Sequence, residues 1–194
     1  MNGAERDGEI ESVVFSAAEI AAAIERMAAA IARDHAGDDV LLLGVLKGAI
    51  HLLSDIARAL EAVRPGPRRV FLDVIAVSSY GNAARSSGEV RLIQDTTHAI
   101  EGRRVVIVED IVDNGMTLDY LRTLLEARRP ASLRCAVLLD KPYRRVVDVR
   151  PDYVGLHCPD AFVVGYGLDY QERYRTLPYI AKLRPGVFAA EVDR

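Results

Sequence analysis

The segment Val-Val-Ile-Val-Glu-Asp-Ile-Val-Asp-Asn-Gly-Met-Thr-Leu, residues 105–118, decides the fold. Its opening run of β-branched residues is typical of a strand that is buried on both faces, as in a parallel sheet. Leucines at helical spacing end the segment and follow it: Leu118, Leu121, Leu124 and Leu125. Residues 113–117 are therefore expected to connect the carboxyl end of a parallel strand to the start of a helix.

This connection has the features of a phosphate-binding loop. Unpaired backbone N–H groups and the positive end of the helix dipole favour an anion, and Gly115 lets the backbone approach it closely. Glu109 and Asp110 come just before the loop. Two adjacent acids beside a phosphate suit a ribose diol or a Mg²⁺ ion that accompanies phosphate oxygens. The alternative interpretation is an ordinary strand–helix connection with solvated acids.

The rest of the chain alternates between strand and helix patterns. Ser16 and Glu19 have capping-box spacing, and the Ala-rich amphipathic pattern after them ends near Gly37. Buried strands are predicted at residues 40–46, 69–79, 104–108 and 133–139, and helices at 48–60 and 117–125. This order predicts an α/β fold in which a mainly parallel sheet is flanked by helices.

Length and composition predict one globular domain, because the 194 residues are 50% hydrophobic and 27% charged. We expect a mobile N-terminal tail over residues 1–14 and a single domain over 15–194. Within it, residues from about 38 to 140 form the core, and those from about 150 form a small C-terminal hood together with the N-terminal segment. The small, polar stretch between Ser78 and Gly88 predicts a loop that moves over a site.

Charge and cysteine usage limit the function classes. The net charge of −3 does not indicate a basic surface for nucleic acid. The basic pairs are scattered along the chain, and they are interpreted as strand or helix flanks. No apolar run is long enough to predict a membrane span. Cys135 and Cys158 lack metal-ligand spacing, and Cys135 lies in an apolar run, which predicts a buried reduced thiol and favours the cytoplasm.

Five segments of the chain resemble motifs of one known family. Residues 109–117, Glu-Asp-Ile-Val-Asp-Asn-Gly-Met-Thr, resemble the 5-phosphoribosyl pyrophosphate (PRPP) motif of type I phosphoribosyltransferases. Four more segments are similar to the hypoxanthine-guanine branch of that family: residues 46–49, 78–81, 140–142, and 162–170 with Arg175. The motifs keep the family's order from about residue 15 to about residue 180. Asn114 departs from the pattern, since the family usually has Thr or Ser there.

The resemblance implies the type I phosphoribosyltransferase fold and a reaction in purine salvage. A phosphoribosyl group passes from PRPP to hypoxanthine or guanine, with Mg²⁺ as cofactor, to give IMP or GMP and pyrophosphate. The partners implied are these small molecules, and no binding to nucleic acid or to a membrane is expected. The resemblance also implies a homodimer or homotetramer. Two alternatives stay open: a PRPP-sensing regulator of the same fold that binds RNA or DNA, and a xanthine-preferring enzyme.

By resemblance, one set of residues binds PRPP. The loop residues hold the 5′-phosphate, and Glu109 and Asp110 bind the ribose hydroxyls directly or through a metal ion. The pyrophosphate is held after the first strand and near the C-terminus, often with a non-proline cis peptide between residues 46 and 47. The PRPP residues beyond the two acids are Lys47, Gly48, Asp113, Asn114, Gly115, Met116, Thr117 and Arg175.

By resemblance, a second set of residues binds the purine or accepts its proton. Asp113 accepts the proton that a purine ring nitrogen loses, which is general-base work. Lys141 donates to the 6-oxo group and so selects against adenine. Phe162 stacks on the purine, and the main chain at Val163 binds its edge.

By resemblance, the remaining residues either close the site or complete it. Asp169 lies at the purine end, near a second Mg²⁺ with the pyrophosphate. Ser79 and Tyr80 close with their loop and exclude water. Because Asn114 is bulkier than Thr, we expect the loop to bind phosphate more weakly than a Thr-containing loop does.

Overall fold

The computed structural model describes residues 8–80 and 89–188, and a six-stranded sheet is its centre. The strand order is β4-β3-β2-β5-β6-β7, and every neighbouring pair is parallel except β3 with β4. The predicted mainly parallel sheet is therefore confirmed. The strand bounds are β2 Asp39–Leu46, β3 Arg69–Tyr80, β4 Glu89–Gln94, β5 Arg104–Val112, β6 Ser132–Asp140 and β7 Tyr153–His157.

Helices cover both faces of this sheet. Helix α1 and helix α2 pack on one face, and helix α3 packs on the other through Leu118, Leu121 and Leu125. The predicted capping box begins α1, since the Ser16 side chain accepts from the backbone of Glu19 and the Glu19 side chain accepts in return. The helix bounds are α1 Ala17–Asp34, α2 Ile50–Ala62, α3 Met116–Glu126 and α4 Pro185–Phe188, and a short 3-10 helix spans Pro142–Arg144.

The middle parts of the central strands are apolar because both of their faces are buried. Along β5, Val106 and Val108 pack towards α1 and α2, whereas Val105 and Ile107 pack towards α3. A half-exposed strand would instead alternate apolar and polar residues. The uninterrupted Val/Ile run therefore predicted the central position of β5 correctly.

A second, antiparallel sheet contains β1 Ile10–Phe15, β8 Val163–Val164 and β9 Ile180–Leu183 in the order β1-β9-β8. The expected tail over residues 1–14 is wrong for residues 10–14, because β1 pairs with β9 from Ile10↔Leu183 to Phe15↔Ile180. This long-range pairing has no local sequence signal. Residues 1–7 lie outside the described part of the chain.

The main sheet extends further than predicted at both edges. β7 was expected in the hood, but it pairs in parallel with β6, and its Tyr153 hydroxyl donates to Asp34 Oδ2 at 3.0 Å. The predicted strand over residues 69–79 overlapped the loop predicted between Ser78 and Gly88, and the backbone of residues 78–80 continues β3 and pairs with β4. The remainder of that predicted loop, residues 81–88, lies outside the described residues. No described helix is both long and apolar enough to cross a membrane.

His35, directly after α1, is a buried histidine. Its ring is 3% exposed, and neither ring nitrogen has a hydrogen-bond partner among the described residues. Burial lowers the pKa of His35, and the nearby guanidinium of Arg134 lowers it further. Arg104 acts in the same direction, while Asp34 and Asp38 oppose it. The folded protein therefore favours the neutral ring.

We predict that His35 makes the protein less stable in mild acid. Below about pH 6.5 the unfolded chain binds a proton at this residue more readily than the folded chain does, so stability falls as the pH falls. When the pH is lowered from about 7.5 to about 5.5, the free energy of unfolding of wild type should fall by about 1 kcal/mol more than that of His35→Leu. Urea unfolding at both pH values measures this, with the exposed His98→Leu as control. Equal losses in wild type and His35→Leu would contradict it.

Candidate active site

The carboxyl ends of β2, β5 and β6 meet at one edge of the main sheet. β5 lies between the other two strands, with Gly44↔Val108 pairing it to β2 and Val112↔Asp140 pairing it to β6. Because parallel strands end on the same side, the connections after all three strands lie together. These connections carry most of the predicted site residues.

The predicted phosphate loop joins β5 to α3. Gly115 is the N-cap of α3 with φ +89°, and a Cβ at this position would lie 2.7 Å from Val149 Cγ1. Glycine is therefore required for both conformation and space. The start of a helix leaves N–H groups without helical partners, and Asn114 Oδ1 accepts one of them, from Met116 N at 3.0 Å. The loop thus presents backbone donors at the positive end of a helix.

Glu109 and Asp110 lie in a crowded position near the carboxyl end of β5. Burial raises the pKa of Glu109 well above its ordinary value, and the charge of Asp110 raises it further. The pKa of Asp110 is also raised by burial. Glu109 Oε2 has no hydrogen-bond partner among the described residues, although Asp110 Oδ1 accepts from Ile111 N at 2.7 Å. Such an oxygen is costly unless a hydroxyl or a cation pairs with it.

Gly48 lies in contact with this acid pair. A Cβ on Gly48 would lie 1.8 Å from Asp110 Oδ2, and a Cβ on Gly167 would lie 1.9 Å from the Gly48 carbonyl oxygen. The peptide bond between Leu46 and Lys47 is cis, as expected. The connection after β2 therefore reaches both Asp110 of β5 and the segment that carries Gly167.

An ion-pair cluster forms the neighbouring corner of the site. Arg175 Nη2 lies 2.8 Å from Asp169 Oδ1 and 3.3 Å from Glu172 Oε1, while its Nη1 donates to the Gly167 carbonyl at 2.8 Å. Lys47 Nζ lies 2.9 Å from Glu172 Oε2. Hydrogen bonds from Lys47 and Arg175 lower the pKa of Glu172. Both predicted pyrophosphate cations therefore already contact this one carboxylate, which the sequence analysis did not single out.

Lys141 lies at the other corner, directly after β6. Its side chain is 3% exposed, and Nζ donates to the Ala161 carbonyl at 2.7 Å and lies 3.9 Å from Asp113 Oδ2. Asp113 is more open, with 42% of its side chain exposed, and its Oδ1 lies 3.3 Å from Arg144 Nε. Lys141 therefore links the loop after β5 to the segment that contains Phe162.

Phe162 keeps an exposed ring beside this corner. The ring is stacked on Phe188 with centroids 5.1 Å apart, and it meets the edge of Tyr170 at 5.7 Å. Phe162 is 37% exposed, whereas Val163 is buried in β8. The aromatic neighbours hold the ring in place while part of its surface stays accessible to a planar ligand.

The sequence analysis missed residues that follow β6. The basic pair Arg144 and Arg145 was interpreted only as a flank of a strand or helix. Both residues do follow β6, but Arg144 also contacts Asp113, and Arg145 is largely buried beside Asp140. Their position shortly after residues 140–142 was the available signal. Asp169 was predicted as a metal ligand, but its oxygens are occupied by Arg175 and by the Glu172 amide. The side chains of Ser79 and Tyr80 lie outside the described part of the structure.

Carboxylates alone do not make a complete metal site in the described ranges. No group of three or more His, Cys, Asp or Glu side chains within residues 8–80 and 89–188 is arranged to hold an ion. Mg²⁺ commonly binds through one or two carboxylates, with waters and substrate phosphates as its other ligands. The acid pair at the end of β5 satisfies that smaller requirement.

Comparison with known proteins identifies the class. The family described as the phosphoribosyl transferase domain matches residues 14–171, and the chain belongs to this family. The hypoxanthine-guanine phosphoribosyltransferase of Bacillus subtilis is 43% identical over 180 residues, which cover 93% of this chain and 97% of that protein. The family predicted from the motifs is therefore confirmed.

Solved structures agree with this assignment. Hypoxanthine phosphoribosyltransferase from Trypanosoma cruzi, in complex with the product IMP, has a TM-score of 0.83 and 44% identity, covering 92% of this chain and 97% of that one. A hypoxanthine phosphoribosyltransferase from Staphylococcus aureus has a TM-score of 0.87 and 38% identity, covering 97% and 98%. The likeness extends over both sheets.

We predict that Gly48→Ala strongly reduces phosphoribosyl transfer. The new Cβ would collide with Asp110 Oδ2, so either the carboxylate or the connection after β2 must shift. We expect kcat/KM to fall by at least about 10-fold, the effect of losing about 1.4 kcal/mol of transition-state stabilisation. Gly186→Ala is the matched control, since nothing lies within 4 Å of a Cβ there. Normal activity of Gly48→Ala would show that the close approach has no role.

Proposed function

We propose that this chain is a hypoxanthine-guanine phosphoribosyltransferase that transfers the phosphoribosyl group of PRPP to hypoxanthine or guanine. The observation that carries the proposal is Lys141, a buried cation whose Nζ lies 2.7 Å from the Ala161 carbonyl and 3.9 Å from Asp113 Oδ2. A buried donor that lies near the Asp113 carboxylate and contacts the residue before Phe162 can recognise the oxygen of a planar 6-oxopurine. Relatives named for the same activity cover almost the whole chain.

At the base corner, Asp113 and Lys141 have complementary tasks. The bond between the anomeric carbon and the pyrophosphate oxygen breaks, and a purine ring nitrogen bonds to that carbon. Asp113 takes the proton that this nitrogen loses, while Lys141 donates to the 6-oxo group. Phe162 stacks on the base, and the main chain at Val163 binds its edge. The exposed carboxylate of Asp113 and the exposed part of the Phe162 ring support these tasks.

At the PRPP corner, positive charge and backbone donors surround the phosphates. Residues 113–117 bind the 5′-phosphate through amides at the start of α3 and through the Thr117 hydroxyl. Lys47, the Gly48 backbone and Arg175 bind the pyrophosphate, which stabilises it as the leaving group. This assignment is supported by the contact of both cations with the Glu172 carboxylate, since an anion already occupies their shared position.

The acid pair fits a ribose diol and a Mg²⁺ ion. Mg²⁺ bound to PRPP would neutralise charge that develops on the departing pyrophosphate. Glu109 and Asp110 would hold the ribose hydroxyls or the ion, because Glu109 Oε2 is buried without a protein hydrogen-bond partner among the described residues. Asp169, which pairs with Arg175, would act at this end by orienting the arginine.

Location and assembly belong to the same proposal. Both cysteines are buried and free, and burial raises the pKa of the Cys135 thiol, which is typical of a reducing cytoplasm. A homodimer or homotetramer is supported by large apolar side chains exposed at the edge of the main sheet, Leu72 on β3 and Ile93 on β4.

A base panel tests the proposed function. Purified protein with Mg²⁺ and PRPP is given hypoxanthine, guanine, xanthine or adenine, and both pyrophosphate and nucleotide are measured. We expect IMP and GMP with matching pyrophosphate, and little AMP. Preferential XMP formation would indicate the xanthine alternative, and no nucleotide from any base would favour the PRPP-sensing regulator.

We predict that Lys141→Met weakens the preference for 6-oxopurines. The substitution keeps a long apolar stem but removes the charged donor, an interaction worth about 1.5–3 kcal/mol. We expect kcat/KM for hypoxanthine to fall by about 10- to 100-fold while that for adenine changes little. Lys182→Met, which removes a lysine paired with Glu11 on the small sheet, is the control. Unchanged selectivity in Lys141→Met would refute the assigned role.

We further predict that Glu172→Gln tightens the binding of inorganic pyrophosphate. Glu172 competes with the ligand for Lys47 and Arg175, and its pairs are exposed and therefore weak. We expect the Kd for pyrophosphate with Mg²⁺, measured by calorimetry, to fall by about 1.5- to 5-fold. Glu101→Gln removes a carboxylate paired with Arg129 before β5 and should leave this Kd unchanged. Weaker binding by Glu172→Gln would show that the carboxylate supports the ligand instead.

A further inference from the structure

Arg145 occupies an unusual position beneath the site. It directly follows the 3-10 helix after β6, and its side chain is only 13% exposed although it carries a full charge. Asp140, at the end of β6 and 9% exposed, supplies the opposite charge through Arg145 Nη2. A buried ion pair of this kind usually requires further hydrogen bonds to offset its desolvation.

Those hydrogen bonds go to backbone carbonyls, two of which belong to proposed site residues. Arg145 Nη1 donates to Val112 O at 2.6 Å, to Asp113 O, and to Lys141 O at 3.3 Å. Its Nε donates to Val149 O at 3.3 Å. One guanidinium therefore holds the carbonyls of the proposed base and of the proposed purine-reading lysine.

The location explains why such a side chain is needed. The ladder between β5 and β6 ends at Val112↔Asp140, and beyond it the two chains separate towards the phosphate loop and the 3-10 helix. The Val112 carbonyl still accepts from Lys141 N at 3.0 Å, and the Lys141 carbonyl accepts from Arg144 N at 3.1 Å. The Asp113 carbonyl lies past the last ladder pair, where a carbonyl needs a donor from outside the sheet, and Arg145 Nη1 supplies it. The Arg145 alkyl chain also packs under the phosphate loop, since a Cβ on Gly115 would lie 3.1 Å from Arg145 Cδ.

We propose that Arg145, paired with Asp140, is a positioning residue that fixes the backbone of Asp113 and Lys141 so that the base and the 6-oxo donor face one purine. The arginine itself does not touch the substrate. Its planar fork can serve several acceptors in fixed directions, which a lysine cannot do. The inference rests on the proposed role of Asp113, because Arg145 acts through that residue.

A double-mutant cycle tests the proposal. Arg145→Met is made in wild type and in Asp113→Asn, and kcat is measured with saturating PRPP and hypoxanthine. In wild type we expect kcat to fall by about 10- to 100-fold, the scale for a reacting group displaced by about 1 Å. In the Asp113→Asn background, Arg145→Met should lower kcat by less than about 3-fold. The general base is already absent there, so displacing residue 113 has little further effect on the rate.

Controls separate positioning from general damage. Arg150→Met removes an exposed arginine from the same connection, and its kcat should equal that of wild type. If Arg145→Met does not fold, Arg145→Lys replaces it in the cycle. It keeps the charge beside Asp140 but not the fork, and the same pattern is expected.

Three results would overturn the proposal or its basis. Normal kcat in a folded Arg145 variant, or an equal loss in both backgrounds, would overturn the positioning role while leaving the function intact. Normal kcat in the single variant Asp113→Asn would refute the proposed base, and the route through which Arg145 acts would fail with it.

Discussion

The parallel pairing of β5 with β2 on one side and with β6 on the other is the constraint on which the site depends. It places Lys47, Glu109 and Lys141 at one edge of the sheet although they are far apart in sequence. A shift of one register position would turn the central strand over and exchange its two buried faces. The apolar core on both faces therefore also holds the chemistry at the edge in alignment.

The edge contains polar groups that a purely structural protein would avoid. Glu109 has a buried oxygen without a protein partner among the described residues, and burial raises its pKa. The pair of Arg145 and Asp140 is buried as well. At the amino ends of the strands, Arg68 before β3 and Arg69 at its start both pair with Asp39. This pairing reduces the positive charge that a nucleic-acid surface would need, while the unpaired Glu109 oxygen at the carboxyl edge supports a site for a small charged ligand.

Sequence reasoning was strongest where local pattern and topology agree. The Val/Ile run before Glu109 and the leucines after Thr117 predicted the strand, loop and helix of the proposed phosphate site, and the order of elements placed Lys141 at the same edge. It failed where structure depends on distant pairing, as for β1 with β9, or on side-chain direction. Arg145 points inwards to backbone carbonyls that no spacing rule identifies, and Glu172 lies between two cations that meet only in three dimensions. The roles of the individual site residues stay predictions.

Calorimetric titration with IMP and AMP tests most directly whether this edge reads a 6-oxopurine. The two nucleotides share the phosphoribosyl group and differ at the 6 position, so their difference in Kd isolates the base corner at Lys141 from the phosphate loop. The account predicts that IMP binds at least about 10-fold more tightly, since the 6-amino group of AMP would face a second donor. Equal affinities, or tighter binding of AMP, would contradict the account.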